Sequence, residues 1–279
     1  MSASVLVPSK TLPSGAEIPS IGLGVYQSRP GKETYNAVAS ALKLGYRHVD
    51  TAQVYRNEQD VGQAVRDSSL SRKQVFVTSK IVLSTWSYTQ TIDSVRESNR
   101  KLGLGYIDLF LLHAPLDSRN RSEAWRALED LQAEGVLRDI GVSNFGERHL
   151  QKLAETWRVK PAVNQIELHP WLLRKDTVAY CEQQGILLEA YSPLAQAIRI
   201  RDPTVLEIAR QVNGSAAQVL IAWSLAKGFI TLPKSVRESR IHENLESANI
   251  TLSAVQIETL DALDEYMVTA WDPIKDHAV

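Results

Sequence analysis

Short apolar runs rich in β-branched residues recur eight times along the chain, each followed by a longer stretch with helical spacing of its apolar positions. The runs are IGLGV (21–25), YRHVD (46–50), VFVTSK (75–80), IDLFLLH (107–113), DIGVS (139–143), AVNQIE (162–167), ILLEAYS (186–192) and FITLP (229–233). Several are apolar almost throughout, as a parallel strand covered on both faces must be. Eight such alternations in roughly 250 residues fit a (β/α)8 TIM barrel. A doubly wound sheet would need a Gly-rich phosphate turn. GLGVYQ (22–27) begins like one, but Gln27 stands where the third Gly belongs and no helix follows at once.

The intervening segments carry local signals. Leu150, Leu153, Ala154 and Trp157 fall at i, i+3, i+4 and i+7 and predict one apolar helical stripe. Asp202 followed by Pro203 predicts a capped helix running through Val205, Leu206 and Ala209. Ser253 with Gln256 predicts a capping box for a last helix that buries Ile257 and Leu260. In KTLPSGAEIPSIG (10–22), Pro-Ser-Gly separates two short extended segments and predicts a β-hairpin plugging the barrel floor. No linker or low-complexity stretch divides the 279 residues, so one domain spanning 1–279 is expected.

Composition narrows the partners. The net charge is −1 and no run rich in Lys or Arg occurs, which argues against nucleic acid and acidic membrane surfaces. The longest apolar stretch, AAQVLIAWSLA (216–226), is too short to cross a bilayer. The lone cysteine, Cys181, cannot form an intrachain disulfide; it suits a reducing compartment and reads as a packing residue. MSASVLVPSK lacks the features of a signal peptide, and the expected location is cytoplasmic. The six histidines show no metal-ligand spacing, and no exposed apolar heptad calls for more than a monomer or a weak oligomer.

Catalytic groups of a barrel sit at the carboxyl ends of its strands. By that rule Asp50, Lys80 and His113 close the second, third and fourth runs, and Tyr55 follows Asp50 by five residues. Each alone has a plainer reading: Asp50 as a helix cap, Tyr55 as a rim aromatic, Lys80 as a solvated cation, His113 as a core histidine. Together they suit protonation of an oxyanion as it forms, which carbonyl reduction requires. A lysine beside the phenol is expected to lower its pKa, and a carboxylate to hold the lysine in place. A barrel glycosidase would need paired carboxylates. Glu189 lies near the end of the seventh run, but the fourth offers His113 and no partner acid.

Several ordered segments resemble the aldo-keto reductases over essentially the whole chain. They are GYRHVDTAQVYRNE (45–58), LGLGYIDLFLLHAP (102–115), GVSNF (141–145), NQIELHP (164–170), AYSPL (190–194) and LPKSVRESRIHEN (232–244). The resemblance implies a (β/α)8 barrel that reduces small-molecule aldehydes and ketones with NADPH, with Tyr55 as acid supported by Asp50, Lys80 and His113. It implies that Ser143, Asn144 and Gln165 hold the nicotinamide carboxamide and that Tyr191 stacks on the ring. Ser192 and Leu194 would lie near the phosphates, and Gly24 and Val25 are counted with the cofactor contacts. Lys234, Ser235 and Arg240 match the cluster around the adenosine 2′-phosphate, and Glu243 and Asn244 the adenine contacts. An NADPH-sensing regulatory subunit is also known in this fold family, though the intact Asp-Tyr-Lys-His set argues for an enzyme.

Departures from the family pattern bear on substrate. Ala114 and Val82 stand where relatives commonly carry Trp, and Tyr26 aligns with a third pocket aromatic. The segment after AYSPL, AQAIRIRD, is short, as is the tail MVTAWDPIKDHAV. The expectation is a wide pocket for bulky carbonyl compounds, with Trp86 or Trp271 supplying a replacement wall.

Overall fold

The computed structural model describes residues 5–81, 87–115, 117–269 and 271–276. An antiparallel hairpin comes first, β1 (Ser9–Thr11) with β2 (Glu17–Pro19), in the register Lys10 opposite Ile18. Eight parallel strands follow, one for each apolar run of the sequence: β3 (Leu23–Gly24), β4 (His48–Asp50), β5 (Phe76–Lys80), β6 (Ile107–Leu112), β7 (Leu137–Ser143), β8 (Val163–Glu167), β9 (Leu187–Tyr191) and β10 (Ile230–Leu232). They pair in sequence order. The ring closes between β10 and β3 through Gly22 N–H to Thr231 O (2.9 Å) and Gly24 N–H to Pro233 O (3.1 Å). The fold is a (β/α)8 barrel with an N-terminal hairpin, as the alternation predicts.

The helices between strands are α1 (Lys32–Leu44), α2 (Glu58–Asp67), α3 (Tyr88–Leu102), α4 (Arg121–Ala133), α5 (Glu147–Ala154), α6 (Lys175–Gln184), α7 (Pro203–Gln211), α8 (Ala216–Ala226) and α9 (Glu238–Glu246). α10 (Ala254–Asp261) and the short α11 (Pro273–Asp276) complete the chain. α11 forms within the short tail MVTAWDPIKDHAV. Asp202 accepts the Thr204 N–H at 2.9 Å and starts α7, and Ser253 with Gln256 closes the capping box of α10.

Two expected stripes are corrected. α5 ends at Ala154, so Trp157 packs half-buried just beyond the helix; an eight-residue helix is too short to carry an i+7 contact from Leu150. Ile257 on α10 is only half-buried while Leu260 is buried; α7 runs through Val205, Leu206 and Ala209 as predicted, with Leu206 toward solvent. Both helices lie on the outer ring and turn one face to water.

Strand alternation sorts the interior. In β6, Leu109 and Leu111 point into the barrel with Phe76, Val163 and Ile230, while Phe110 and Leu112 face the helices. Leu12 and Ile18 of the hairpin join that inner cluster, and Ser14 donates its backbone N–H to Asp139 Oδ1 at 3.2 Å. The hairpin thereby seals the amino-terminal end and leaves the carboxyl ends of the strands for chemistry.

Candidate active site

Residues two apart on a strand share a face, so the inward side chains stack in layers above the sealed floor. Phe76, Thr78 and Lys80 climb β5, and Leu109 and Leu111 lead to His113. His48 precedes Asp50, Val163 precedes Gln165 and Leu187 precedes Glu189. The lower layer is apolar, and the upper layers are polar and dry.

Lys80 is wholly buried, and its ammonium has three acceptors. Nζ lies 2.6 Å from Asp50 Oδ1, 3.0 Å from the Thr51 carbonyl and 3.4 Å from Tyr55 Oη. Asp50 does not cap α2, whose preceding residue is Asn57; it holds the lysine. Tyr55 comes from a short 3-10 turn (Gln53–Tyr55) directly after β4, and the His113 ring meets it edge to face at 5.8 Å. The structure brings together all four residues singled out in the sequence.

The electrostatics differ from the sequence expectation in one respect. The Tyr55 hydroxyl is raised well above the ordinary phenol range, first by burial and then by the Asp50 carboxylate and Tyr26. The Lys80 ammonium, 3.4 Å from the hydroxyl and 2.6 Å from Asp50 Oδ1, does not outweigh burial and the Asp50 carboxylate. Tyr55 therefore waits with its proton on. Burial, reinforced by Lys80, pushes the His113 imidazole down to about 3, so it is neutral at physiological pH. Its Nδ1 is buried without a partner among the described residues.

Around this core lie the residues expected to hold the cofactor. Asn144, in the left-handed region at φ 64° that Asn tolerates, donates Nδ2 to the His113 carbonyl (3.0 Å) and accepts the Tyr191 hydroxyl (2.8 Å). Ser143 Oγ donates to the Gln165 carbonyl at 2.8 Å. The Gln165 amide nitrogen donates to Asp50 Oδ2 (2.8 Å) and Glu189 Oε2 (3.0 Å), so its carbonyl end is the one free to accept from a ligand amide. Gly24 ends β3 opposite Asp50, and Val25 follows it with its N–H bonded to the Asp50 carbonyl at 3.1 Å. Ser192 and Leu194 open a turn after β9 in which Ser192, Ala195, Gln196 and Ala197 all have positive φ. Gln196 and Arg199 tie that turn to Thr269 and Glu265.

Beyond β10, Lys234 and Arg240 are exposed, Ser235 is nearly buried, and Ser235 Oγ accepts the Arg237 N–H (3.1 Å) just before α9. Three cations with a hydroxyl at a helix start suit a phosphate dianion. Arg237, which the sequence reading passed over, belongs with them. Glu243 is bonded to Ser215 Oγ at 2.5 Å, and Asn244 beside it is buried. This donor set fits a phosphorylated dinucleotide ending in a carboxamide.

The pocket residues are distributed unevenly. Tyr26 is 54% exposed with its ring 5.1 Å from that of Tyr55, and Trp271 is 37% exposed. Ala114 is fully buried beneath the surface, so it forms no pocket wall. Val82 and Trp86 lie outside the described residues. Sequence reading also missed a deeper polar layer. His48, Thr78 and Glu189 sit under the catalytic group, and the signal was their i−2 spacing from Asp50, Lys80 and Tyr191. Glu189 is fully buried and offers no sugar a second accessible acid. Cys181 is buried beside Asn164 and packs as expected. Among the described residues no helix is long and apolar enough to cross a membrane, and no group of three or more His, Cys, Asp or Glu could hold a metal ion.

The model of the Aldo/keto reductase family matches residues 20–265. Glyoxal reductase of Bacillus subtilis (strain 168) is 41% identical over 254 residues, covering 91% of this chain and 92% of its own length. The 9,11-endoperoxide prostaglandin H2 reductase of Trypanosoma cruzi is 40% identical and covers 94% of each chain. The crystal structure of a Bombyx mori aldo-keto reductase in complex with NADP superposes with a TM-score of 0.89 at 30% identity, covering 95% of each chain.

Proposed function

The chain belongs to the aldo/keto reductase family, an oxidoreductase of carbonyl compounds, and on that premise we propose that it reduces aldehydes and ketones with NADPH through Tyr55 as the acid. The observation that carries the reading is the chain of contacts from Asp50 through Lys80 to the Tyr55 hydroxyl, 2.6 Å and then 3.4 Å. NADPH, when bound, supplies the hydride. The protein supplies position and a proton. His113, held neutral by burial, offers the carbonyl an Nε2–H in the tautomer that leaves the buried Nδ1 without a proton. As negative charge grows on that oxygen, Tyr55 gives it the phenolic proton, and the Lys80 ammonium stabilises the phenolate left behind.

Ser143, Asn144 and Gln165 would hold the carboxamide, with Tyr191 against the ring and Gly24, Val25, Ser192 and Leu194 along the diphosphate. Lys234, Ser235, Arg237 and Arg240 would take the 2′-phosphate, with Glu243 and Asn244 toward adenine. The exposed Tyr26 beside Tyr55, with Val54 at 44% and Trp271 at 37% exposure, supports an open, aromatic-lined pocket that admits bulky carbonyl substrates. The similar proteins span that range in their names, from glyoxal to a prostaglandin. The test is oxidation of NADPH, and separately of NADH, with an activated aromatic aldehyde as acceptor. Turnover with a strong NADPH preference is expected. Equal use of NADH would remove the Lys234–Arg240 phosphate site, and NADPH binding without turnover on a broad carbonyl panel would overturn the catalytic reading.

A further inference from the structure

Around the proposed catalytic residues two buried carboxyl groups, Asp50 and Glu189, lie near one buried ammonium, Lys80. Asp50 takes the ammonium of Lys80 on Oδ1 at 2.6 Å. Glu189, on β9 and 0% exposed, has no cation. Its Oε2 accepts from the Gln165 amide at 3.0 Å, and its Oε1 is buried without a hydrogen bond, 3.6 Å from His48 Nε2.

The histidine fixes what Glu189 must be. His48 Nδ1 lies 3.3 Å from the Pro19 carbonyl, which can only accept, so Nδ1 carries the ring proton. Nε2 is then a lone pair; it receives the Thr78 hydroxyl at 3.1 Å and turns the same lone pair toward Glu189 Oε1. An ionised Glu189 would set two acceptors face to face in a dry layer. An ionised Glu189 would also be a fully buried charge with no cation of its own, because Lys80 is paired with Asp50. A neutral acid with its hydrogen on Oε1 removes both the buried charge and the facing lone pairs, while Oε2 keeps the Gln165 amide.

We propose that Glu189 is a positioning residue that works as a neutral acid, its Oε1–H facing His48 and its Oε2 anchoring the Gln165 amide. Through that amide it leaves Asp50 as the sole counter-charge of Lys80 and turns the Gln165 carbonyl toward the cofactor carboxamide, which rests on the reading given under Proposed function. The charged and titratable groups facing Glu189 are Asp50 and His48 from β4 and Lys80 from β5. β8 presents the uncharged Gln165, and β10 contributes Ile230, Thr231 and Leu232, none of which titrates. Burial, with Asp50 adding to it, raises the Glu189 carboxyl to about 8, and burial lowers His48 to about 4, in agreement with the neutral pair. Above that range Glu189 ionises, a second carboxylate competes for Lys80 and Gln165, and the carboxamide holder loses its fixed orientation.

Two measurements test this. In the cofactor-free protein, the infrared difference between wild type and Glu189→Gln should show a carboxylic-acid C=O band at about pH 7 that gives way to carboxylate by about pH 9.5. In parallel, the Kd for NADPH is followed by fluorescence over the same range. Wild type should weaken about three- to tenfold with a midpoint near 8. The Glu189→Gln curve should be flat, because the amide keeps the acceptor for Gln165 without titrating. Absence of the acid band at neutral pH, or the same alkaline weakening in both proteins, overturns the proposal. Failure of wild type to bind NADPH at any pH would instead overturn the cofactor reading, and the infrared band then decides the state of Glu189 by itself.

Discussion

Replacing Lys80 with methionine removes the one cation from a buried carboxylate and leaves the volume nearly unchanged. Asp50 is 4% exposed, and it loses a contact of 2.6 Å; Tyr55 Oη and the Thr51 carbonyl lose their donor at the same time. At an effective dielectric constant of about 20, unit charges at that separation attract by roughly 6 kcal/mol. Breaking such a buried pair by removing one partner costs about 3–5 kcal/mol, because the remaining charge is stranded. That is a large share of the roughly 5–15 kcal/mol that holds a folded domain together. The deficit should shrink at lower pH. The cost is that of a stranded buried charge, so conditions that neutralise carboxylates should return part of it. Urea unfolding of the cofactor-free protein, followed by tryptophan fluorescence at about pH 8 and about pH 5.5, reads the loss. The double variant Asp50→Asn with Lys80→Met strands no charge and should recover about 2 kcal/mol or more over the single one. A Lys80→Met protein within about 1 kcal/mol of wild type at the higher pH, or a double variant no more stable than the single, would refute the account of the buried pair.

Three further outcomes are expected. A Cβ on Gly62 of α2 would sit 1.9 Å from the Leu102 carbonyl oxygen of α3, so Gly62→Ala should cost about 1–3 kcal/mol in urea unfolding despite its better helix propensity. His48 and His113 are held near 4 and 3 by burial, below their unfolded value, so their contribution is present above about pH 6.5 and is lost as pH falls through the folded values. Glu189, held near 8, acts in the opposite sense: the folded state keeps a proton the unfolded chain releases, and stability falls from about pH 4.5 to 8 by at most about 1.4 kcal/mol per unit. The melting temperature should therefore peak near pH 6.5, and Glu189→Gln should flatten the alkaline side. Tyr26→Ala should raise KM for an aromatic aldehyde about five- to tenfold with stability changed by less than about 0.5 kcal/mol, since the ring is largely exposed.

Much of this molecule was legible in the sequence for a physical reason. Barrel strands must be apolar on both faces, so each of the eight announces itself, and polar residues at their ends stand out against that background. Asp50, Lys80 and His113 were visible in this way, and the hairpin was visible through Pro13-Ser14-Gly15. What was not legible depended on cross-strand distance. What keeps Tyr55 protonated is burial and the Asp50 carboxylate, set against an ammonium 3.4 Å away, where two strand ends and a turn meet. The layer of His48, Thr78 and Glu189 joins β4 and β5 to β9, more than a hundred positions further along the chain. Ala114 reads as a widened pocket by position, yet the structure buries it, because burial is set by what the rest of the chain lays over a strand end.

The most direct test of the account is turnover by Tyr55→Phe with NADPH and an activated aromatic aldehyde, with NADPH affinity measured on the same preparation. The ring, its edge contact with His113 and the Asp50–Lys80 pair all survive this substitution, and only the proton is removed. The account predicts NADPH binding within about threefold of wild type and a kcat lower by about 100-fold or more. A near wild-type kcat with intact binding would contradict it and remove Tyr55 as the acid.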